Sequence, residues 1–162
     1  MDRISKINYY LDIAQTVSER STCLRRCFGA IIVKNDTIIS TGYNGAPRKR
    51  ANCNEIGSCI REKLNIPRGE RYELCRSVHS EANAIIAAPR EQMLGSTLYM
   101  CCTAPGTHEI LPNTANCMMC KRMILNAGIE TVVIRDTKED YRVIHTQDWI
   151  DNDDSLSGVF GY

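Results

Sequence analysis

The motifs His79-Ser80-Glu81 and Cys117-Met118-Met119-Cys120 constrain this chain more than any other feature of its sequence. One imidazole and two thiolates form a donor set that suits Zn²⁺, and three protein ligands leave the fourth tetrahedral position open. Cys117 and Cys120 are three residues apart, so the first turn of a helix places both on one face. His79 and Glu81 are two residues apart, and at the start of a helix two side chains with this spacing can reach the same site. The pattern therefore predicts two helices whose N-termini face one metal, with dipoles that favour thiolate over thiol.

This arrangement predicts a hydrolytic site. A metal with an open position makes water nucleophilic near neutral pH, and a carboxylate beside the metal can carry protons. His-x-Glu followed by Cys-x-x-Cys is the motif of the zinc-dependent nucleobase deaminases. Cys-x-x-Cys alone would favour a structural zinc knuckle, or buried thiols beside a core histidine. The carboxylate of Glu81 beside the ligand histidine favours catalysis.

The composition fits one globular domain. The 162 residues are 43% hydrophobic and 24% charged, which predicts a single domain over residues 1–162. The net charge of +1 gives no broad electrostatic basis for binding nucleic acid. No run approaches the roughly 20 apolar residues of a membrane span, so no membrane partner is expected. Residues 1–6 lack the apolar core of a signal peptide, so we expect a cytoplasmic location.

The cysteine content favours metal binding over disulfide bonding. Nine cysteines are many for this length. A secreted disulfide scaffold would be smaller, with a poorer core and a signal peptide. The odd number would also leave at least one thiol over. Metal-bound thiolates in a reducing compartment explain the number better.

The order of predicted elements indicates an α/β fold. Apolar residues at helical spacing predict a first helix, and two β-rich runs around Asn35-Asp36 predict a hairpin. Pro89 and Gly128 end later helices. The expected helices lie at about 3–19, 60–64, 79–88, 117–127 and 148–153, and the expected strands at about 28–33, 38–43, 97–102, 129–134 and 141–145. Strands that alternate with helices after an opening hairpin predict a mixed sheet covered by helices on both faces.

A cysteine-rich insert is expected at about residues 46–76. A long irregular segment in a small domain usually needs an additional cross-link, such as a bound metal, to hold it in place. Cys23, Cys53, Cys59 and Cys75 could form a closed Cys₄ structural zinc site. Alternatively, some of them are small buried hydrophobic residues. Their spacing alone does not decide between these interpretations.

The loop at residues 42–47 is the other candidate ligand site. Its glycines and proline indicate a shaped turn between elements. Asn44 can either stabilise this turn through its side chain or present its amide to a ligand. The basic run Arg48-Lys49-Arg50 follows. An exposed surface loop is the ordinary interpretation of that run, and phosphate contact is the alternative.

Together these motifs resemble the deoxycytidylate (dCMP) deaminases of the zinc-dependent cytidine deaminase superfamily. The two zinc motifs alone indicate only the superfamily, whereas the 42–47 loop and the run at 75–85 point to the dCMP branch. The matching segments, which cover most of residues 20–145, are 23–26, 29–33, 42–47, 65–71, 75–85, 98–99 and 117–133. The resemblance implies a three-layer α-β-α fold with a central mixed five-stranded sheet.

The resemblance also implies a role for each matching position. His79, Cys117 and Cys120 would bind the catalytic zinc, and Glu81 would move protons during hydrolysis of dCMP to dUMP and ammonia. A second, structural Zn²⁺ would be bound by Cys23, Cys53, Cys59 and Cys75. Substrate contacts are expected at Asn44, Gly45, Ala46, Ser80, Thr103 and Ala104, and phosphate or effector contacts at Arg48, Lys49 and Arg50.

Regulation and assembly are further implications of the resemblance. Such enzymes are usually homohexamers, sometimes trimers or dimers, activated by dCTP with Mg²⁺ and inhibited by dTTP. Their product, dUMP, supplies thymidylate synthesis. The chain departs from the family at Ser80, Asn116 and Lys49, where Ala, Pro and Gly are common. The connecting segment at residues 104–116 is also longer than the corresponding segment in the commonest family members.

Two other classes of function remain open at this point. One is deamination of another substrate, such as dCTP, cytidine, guanine or tRNA adenosine, although the tRNA reaction would need a basic surface. The other is a zinc-stapled binding module without turnover. Such a module would not need Glu81 beside a ligand histidine.

Overall fold

Helices and strands alternate through most of the chain. The computed structural model describes residues 1–157, so residues 158–162 of the predicted domain lie outside the described part. The strands are β1 (Cys27–Lys34), β2 (Thr37–Tyr43), β3 (Thr97–Thr103), β4 (Thr131–Arg135) and β5 (Tyr141–His145). The α-helices are α1 (Lys6–Ser18), α2 (Cys53–Ile56), α3 (Ile60–Lys63), α4 (Ser80–Ile86), α5 (Arg90–Met93), α6 (Met118–Ala127) and α7 (Gln147–Asp151), and 3₁₀ turns cover Tyr72–Leu74 and Asp154–Leu156. No helix within residues 1–157 combines the length and the apolar character needed to cross a membrane.

A mixed five-stranded sheet with strand order β2-β1-β3-β4-β5 forms the centre of the fold. β1 runs antiparallel to both β2 and β3, and β5 runs antiparallel to β4. β3 and β4 are parallel, so a crossover must join them, and this crossover carries α6. The predicted mixed five-stranded sheet is therefore confirmed.

Alternate residues of β1 enter two separate cores, because successive side chains of a strand point to opposite faces. Ala30 and Ile32 pack in a core that includes residues of α4 and α6. Ile31 and Val33 pack in a core that includes residues of α1. Helices thus cover both faces of the sheet, which confirms the three-layer arrangement. The two helices that carry the metal motifs lie in the same layer and contact each other.

Hydrophobic periodicity located the main elements to within a few residues. The helix predicted at 3–19 is Lys6–Ser18, and the predicted hairpin is formed by Cys27–Lys34 and Thr37–Tyr43. The helix predicted at 60–64 is Ile60–Lys63, whereas two other four-residue helices, α2 and α5, were not predicted, since so few positions give only a weak period. In the segment 104–116, an isolated antiparallel bridge joins Thr103 to Ile110.

A buried arginine fastens α1 to the end of β4. The side chain of Arg135 is fully buried, and its Nη1 donates a hydrogen bond to Asp12 Oδ1 at 2.7 Å. It also donates to Gln15 Oε1 at 2.9 Å and to Asn8 Oδ1 at 3.1 Å. A buried guanidinium is tolerated when its charge is paired and its terminal N–H groups are bonded, as those on Nη1 and Nη2 are here. The network therefore joins one helical layer to the sheet.

We expect Asp12→Asn to lower the free energy of unfolding by about 1–3 kcal/mol at pH 7, because Arg135 would lose its charged partner. Burial raises the pKa of Asp12, but hydrogen bonds from Lys138 and Arg135 outweigh it and hold the pKa below its usual value. A lowered pKa in the folded state means that the contribution is present above about pH 4 and lost as the pH falls through the folded pKa. Urea denaturation at pH 7 and pH 3 checks both the size and the pH dependence.

The matched control is Glu73→Gln, which removes the exposed Arg71–Glu73 ion pair. Exposed ion pairs are screened by solvent and contribute little, so this variant should unfold almost as the wild type does. An equal effect of the two substitutions would contradict the role given to Arg135.

Candidate active site

The two metal motifs lie at helix N-termini, as their spacing predicts. His79 is the N-cap of α4, with φ −69° and ψ 156°, and Cys117 is the N-cap of α6, with φ −69° and ψ 162°. The extended backbone at an N-cap turns the side chain across the helix end. Cys117 Sγ accepts the backbone N–H of Cys120 at 3.4 Å, which satisfies one free donor of the first turn. Both helices therefore direct their positive ends at the same place.

His79, Cys117 and Cys120 form a group with the dimensions of a zinc site. Their ligand atoms all lie within 4.8 Å of one another. His79 Nδ1 is 3.3 Å from Cys117 Sγ and 3.4 Å from Cys120 Sγ. Tetrahedral zinc with Zn–S of about 2.3 Å and Zn–N of about 2.0–2.1 Å separates sulfur and nitrogen by about 3.5 Å. The donor types and the spacing both fit Zn²⁺.

The three ligand side chains change one another's pKa values. A hydrogen bond from Cys120, and then one from His79, lowers the pKa of the Cys117 thiol to about 4. The same contact with Cys117, together with burial, raises the pKa of Cys120. Burial alone would lower the pKa of His79, but hydrogen bonds to Cys117 and Cys75 raise it to about 10. Metal binding would require each of these ligand atoms to be free of its proton.

Glu81 lies beside this group without belonging to it. The residue is 4% exposed, and Cys120 Sγ is 3.5 Å from Glu81 Oε2. Ser80 Oγ donates to the same oxygen at 3.3 Å. Asn116 Nδ2 donates to the other carboxylate oxygen, Oε1, at 2.9 Å. The carboxylate is therefore held next to the ligand trio, as the sequence predicts for a proton carrier.

Gly42 allows α4 to lie directly on β2. A Cβ atom at this position would come within 2.4 Å of the Ala84 nitrogen and 2.4 Å of the Ser80 carbonyl oxygen. A Cβ atom cannot come this close to atoms to which it is not bonded, so only glycine permits this close approach. The backbone of Gly45 also pairs with that of Val78, with N···O distances of 3.2 and 2.8 Å. The 42–47 loop therefore sets the position of the helix that begins after His79.

A cavity of about 780 Å³ opens next to the ligand trio. This volume lies in the range of about 300–1,000 Å³ that is usual for small-molecule sites. The cavity is lined by Cys23, Arg25, Arg26, Phe28, Asn44, Cys59, Arg61, Arg68, Gly69, Tyr72, Cys75, Ser77, His79, Ser80, Glu81, Asn113, Thr114, Ala115 and Cys117. The metal group and the proton carrier therefore share one opening with four arginines.

Asn44 both stabilises its loop and lines the cavity. Its Oδ1 accepts the backbone N–H of Phe28 at 2.8 Å and the hydroxyl of Ser21 at 2.5 Å. Its Nδ2 donates to the carbonyl of Arg26 at 2.9 Å. An amide has two N–H donors, so one of them remains for a ligand. The two interpretations of Asn44 are thus compatible.

Other predicted substrate contacts lie away from this lining. The side chain of Thr103 is fully buried and hydrogen-bonds Ser18 at 3.1 Å, with their hydroxyl oxygens as partners. The lining does not include Ala104, Gly45 or Ala46. Thr103 is the last residue of a central strand. Side chains alternate between the two faces of a strand, and at this position the side chain points into the protein core. Ser80 lines the cavity, and its contact with substrate stays a prediction.

The basic residues at this cavity differ from those predicted. Arg48, Lys49 and Arg50 are exposed and do not line it. Arg50 instead lines a separate cavity of about 390 Å³ between the 42–50 loop and the helices of the insert. The charge run alone could not show this, because the direction of a loop depends on the elements that flank it.

Cys23, Cys53, Cys59 and Cys75 lie in one neighbourhood but not at ligand distances. Burial, and then the charges of the other three, raise the pKa of Cys53. Within residues 1–157, however, the compact ligand group comprises His79, Cys117 and Cys120 alone. All nine cysteines of the described chain are free. Cys27, Cys101 and Cys102 are buried, as expected for small apolar thiols.

Several residues at the site were not assigned a role from the sequence. Asn116 contacts Glu81 across 35 positions of sequence, and the Tyr72 ring meets the His79 ring edge-on, with centroids 5.5 Å apart. Arg26 lines the cavity, and within residues 1–157 it makes no ion pair. A polar residue directly before the first ligand cysteine was the only signal for Asn116. No local pattern distinguishes Arg26 from the other arginines.

Comparison with known proteins agrees with this geometry. Residues 4–136 match the family model for the cytidine and deoxycytidylate deaminase zinc-binding region. The chain is 36% identical over 138 residues to the deoxycytidylate deaminase of Mycobacterium phage D29, a match that covers 82% of this chain and 96% of the relative. It is 33% identical over 126 residues to that of Schizosaccharomyces pombe, which covers 78% of this chain and only 35% of that longer protein. The dCMP deaminase of cyanophage S-TIM5, crystallised with dCMP and dUMP, is 26% identical with a TM-score of 0.54, covering 83% of this chain and 85% of that chain.

Proposed function

The chain belongs to the cytidine and deoxycytidylate deaminase family, and from this premise we propose that it catalyses zinc-dependent hydrolysis of dCMP to dUMP and ammonia. The observation that carries the proposal is the His79, Cys117 and Cys120 group with Glu81 beside it, at the edge of a cavity of about 780 Å³. The names of the phage and yeast relatives support the choice of dCMP among cytosine compounds.

His79, Cys117 and Cys120 would hold the metal, since their atoms fit its donor set. When bound, Zn²⁺ supplies Lewis-acid activation of a water molecule. Glu81 accepts a proton from the water that adds to C4 of cytosine and delivers it to N3. It then transfers the second water proton to the amine as the C4–N4 bond breaks, so that ammonia leaves and dUMP remains. The carboxylate is regenerated at the end of each cycle.

Recognition of the 5′-phosphate would fall to Arg26 rather than to Arg48, Lys49 or Arg50. Arg26 lines the cavity, is half-buried and, within residues 1–157, has no carboxylate partner to neutralise it, whereas Arg68, which also lines the cavity, is exposed. Arg25, by contrast, pairs with Glu62 at 3.0 Å. A guanidinium binds phosphate through charge-assisted, often bidentate hydrogen bonds.

We expect Arg26→Leu to raise KM for dCMP by about tenfold to a hundredfold, the range expected for losing hydrogen bonds to a charged group. Turnover of deoxycytidine, which has no phosphate, should stay at the wild-type level. Steady-state kinetics with both substrates measure the two effects. Arg50→Leu is the paired variant: a larger rise in KM there than in Arg26→Leu would return the phosphate contact to the 48–50 run.

The proposed function itself is tested by ammonia release from a panel of dCMP, CMP, dCTP, cytidine and guanine. Zinc content is measured on the same samples. Preferential turnover of dCMP by zinc-loaded protein is the expected result. Activity confined to another member of the panel would replace the proposed substrate. Full zinc loading without turnover of any member would favour a binding module.

The second zinc, the regulation and the assembly stay predictions. If Cys23, Cys53, Cys59 and Cys75 bind a structural zinc, purified protein should contain two zinc ions per chain, and one ion would exclude that site. Activation by dCTP with Mg²⁺ and inhibition by dTTP are tested by adding each to the dCMP assay. Sedimentation distinguishes a hexamer from a trimer or dimer. The supply of dUMP for thymidylate synthesis follows only if dCMP is the substrate.

A further inference from the structure

Asn116 is a buried polar residue in direct contact with the proposed proton carrier. It is 1% exposed, and its Nδ2 donates to Glu81 Oε1 at 2.9 Å. Its other contact is weaker, with Nδ2 3.6 Å from Met100 Sδ. The Glu81 hydrogen bond therefore defines the surroundings of this amide.

The chemistry of the pair determines the orientation of the amide. An ionised carboxylate only accepts hydrogen bonds, so Asn116 must present its NH₂ group to Glu81. Its carbonyl oxygen Oδ1 then points elsewhere, and it is buried without a hydrogen-bond partner. An unpaired buried acceptor destabilises a fold, and its presence calls for an explanation. A residue that served only to fill this space would be better replaced by an apolar one.

The backbone on both sides of Asn116 is held in place. Arg142 Nη2 donates to the Thr114 carbonyl at 2.5 Å, and Asp136 Oδ1 accepts the Asn113 N–H at 2.8 Å. Asp136 and Arg142 also form an ion pair at 2.7 Å, so the two side chains that hold this backbone hold each other in place. On the other side, Cys117 is the N-cap of α6. The amide is thus supported from the β4–β5 region and from the metal motif at once.

The two carboxylate oxygens of Glu81 have different surroundings. Asn116 occupies Oε1, whereas Oε2 faces Cys120 Sγ at 3.5 Å and Ser80 Oγ at 3.3 Å. A hydrogen bond that restrains Oε1 limits rotation of the carboxylate. Oε2 is therefore kept on the side of the ligand trio, where a reacting water would lie.

We infer that Asn116 is a positioning residue, which holds Glu81 in the orientation needed for proton transfer. The inference rests on the proposed function, since it assigns Asn116 a part in that reaction. Residues that orient catalytic groups act on the rate of the chemical step rather than on substrate binding. The inference therefore makes a prediction that a purely structural role does not.

Asn116→Leu should lower kcat for dCMP by roughly tenfold to a hundredfold, the usual effect of losing an orienting hydrogen bond. KM and zinc content should stay at wild-type values. The melting temperature should change little, because leucine removes the unpaired carbonyl of Asn116 while Glu81 Oε1 loses its donor, and these two effects oppose each other. Kinetics, metal analysis and thermal unfolding of the same preparations give the three measurements.

Met100→Leu is the matched control, because it removes the other contact of Asn116 while preserving core volume. It should retain wild-type kcat. If Asn116→Leu keeps wild-type kcat, or loses activity only together with stability and zinc, the positioning role is wrong. Failure of the proposed function is recognised separately, since the wild-type protein would then not deaminate dCMP.

Discussion

Glu81→Gln should reduce kcat for dCMP deamination by about 10²–10⁴-fold, while the zinc content of the protein stays the same. Glutamine has the size of glutamate but cannot accept and return a proton. The three ligand side chains are untouched, and Ser80 and Asn116 can still hydrogen-bond the new amide. Single-turnover kinetics and metal analysis of the same preparation measure both quantities.

Glu91→Gln serves as the control for this substitution. Glu91 also lies in the first turn of a short helix, but it is exposed and does not line the cavity. It should keep wild-type turnover. Near-normal activity of Glu81→Gln would contradict the role of Glu81 as proton carrier. A loss of zinc in that variant would instead make Glu81 part of the metal site.

Cys120→Ser should abolish both zinc retention and activity. The substitution replaces a soft thiolate by a hydroxyl that does not ionise at neutral pH, and it leaves only His79 and Cys117 as protein ligands. Two ligands do not hold zinc against a chelator as three do. The measurements are zinc per chain after dialysis against a mild chelator, and dCMP turnover with and without added zinc.

The control for the loss of zinc is Cys101→Ala. Cys101 is a fully buried thiol in the core on the α1 side of the sheet, and burial raises its pKa to about 12. Removing it should lower stability modestly without changing the zinc content. A Cys120→Ser protein that retained a full complement of zinc would show that the ligand assignment is incorrect.

The parts of the protein that could be predicted are those that depend on short sequence separations. Cys117 and Cys120 share a face because a helix repeats every 3.6 residues, and this holds whatever the rest of the chain does. His79 and Glu81 converge because a helix begins between them. Apolar periodicity places α1 in the same way. The metal ligands and the proton carrier were therefore predictable together with most of the elements.

Contacts between distant residues could not be predicted, because they depend on how the elements pack. Arg135 is a buried clamp on α1 although arginine is normally exposed, since its partners lie more than 100 positions away. Thr103 enters the core through the pleat of β3 instead of reaching the cavity. In each case a local pattern was consistent with several environments, and only one is realised.

Short-range sequence was enough to identify the chemistry, because the first turn of a helix brings Cys117 and Cys120 together and the start of a helix brings His79 and Glu81 together. The residues that surround that chemistry are set by the packing of the elements. Asn116 reaches Glu81, and Arg26 rather than the 48–50 run lines the cavity, because α4 and α6 pack in one layer against the sheet. Packing of this kind is a property of the whole chain, so no short segment contains it.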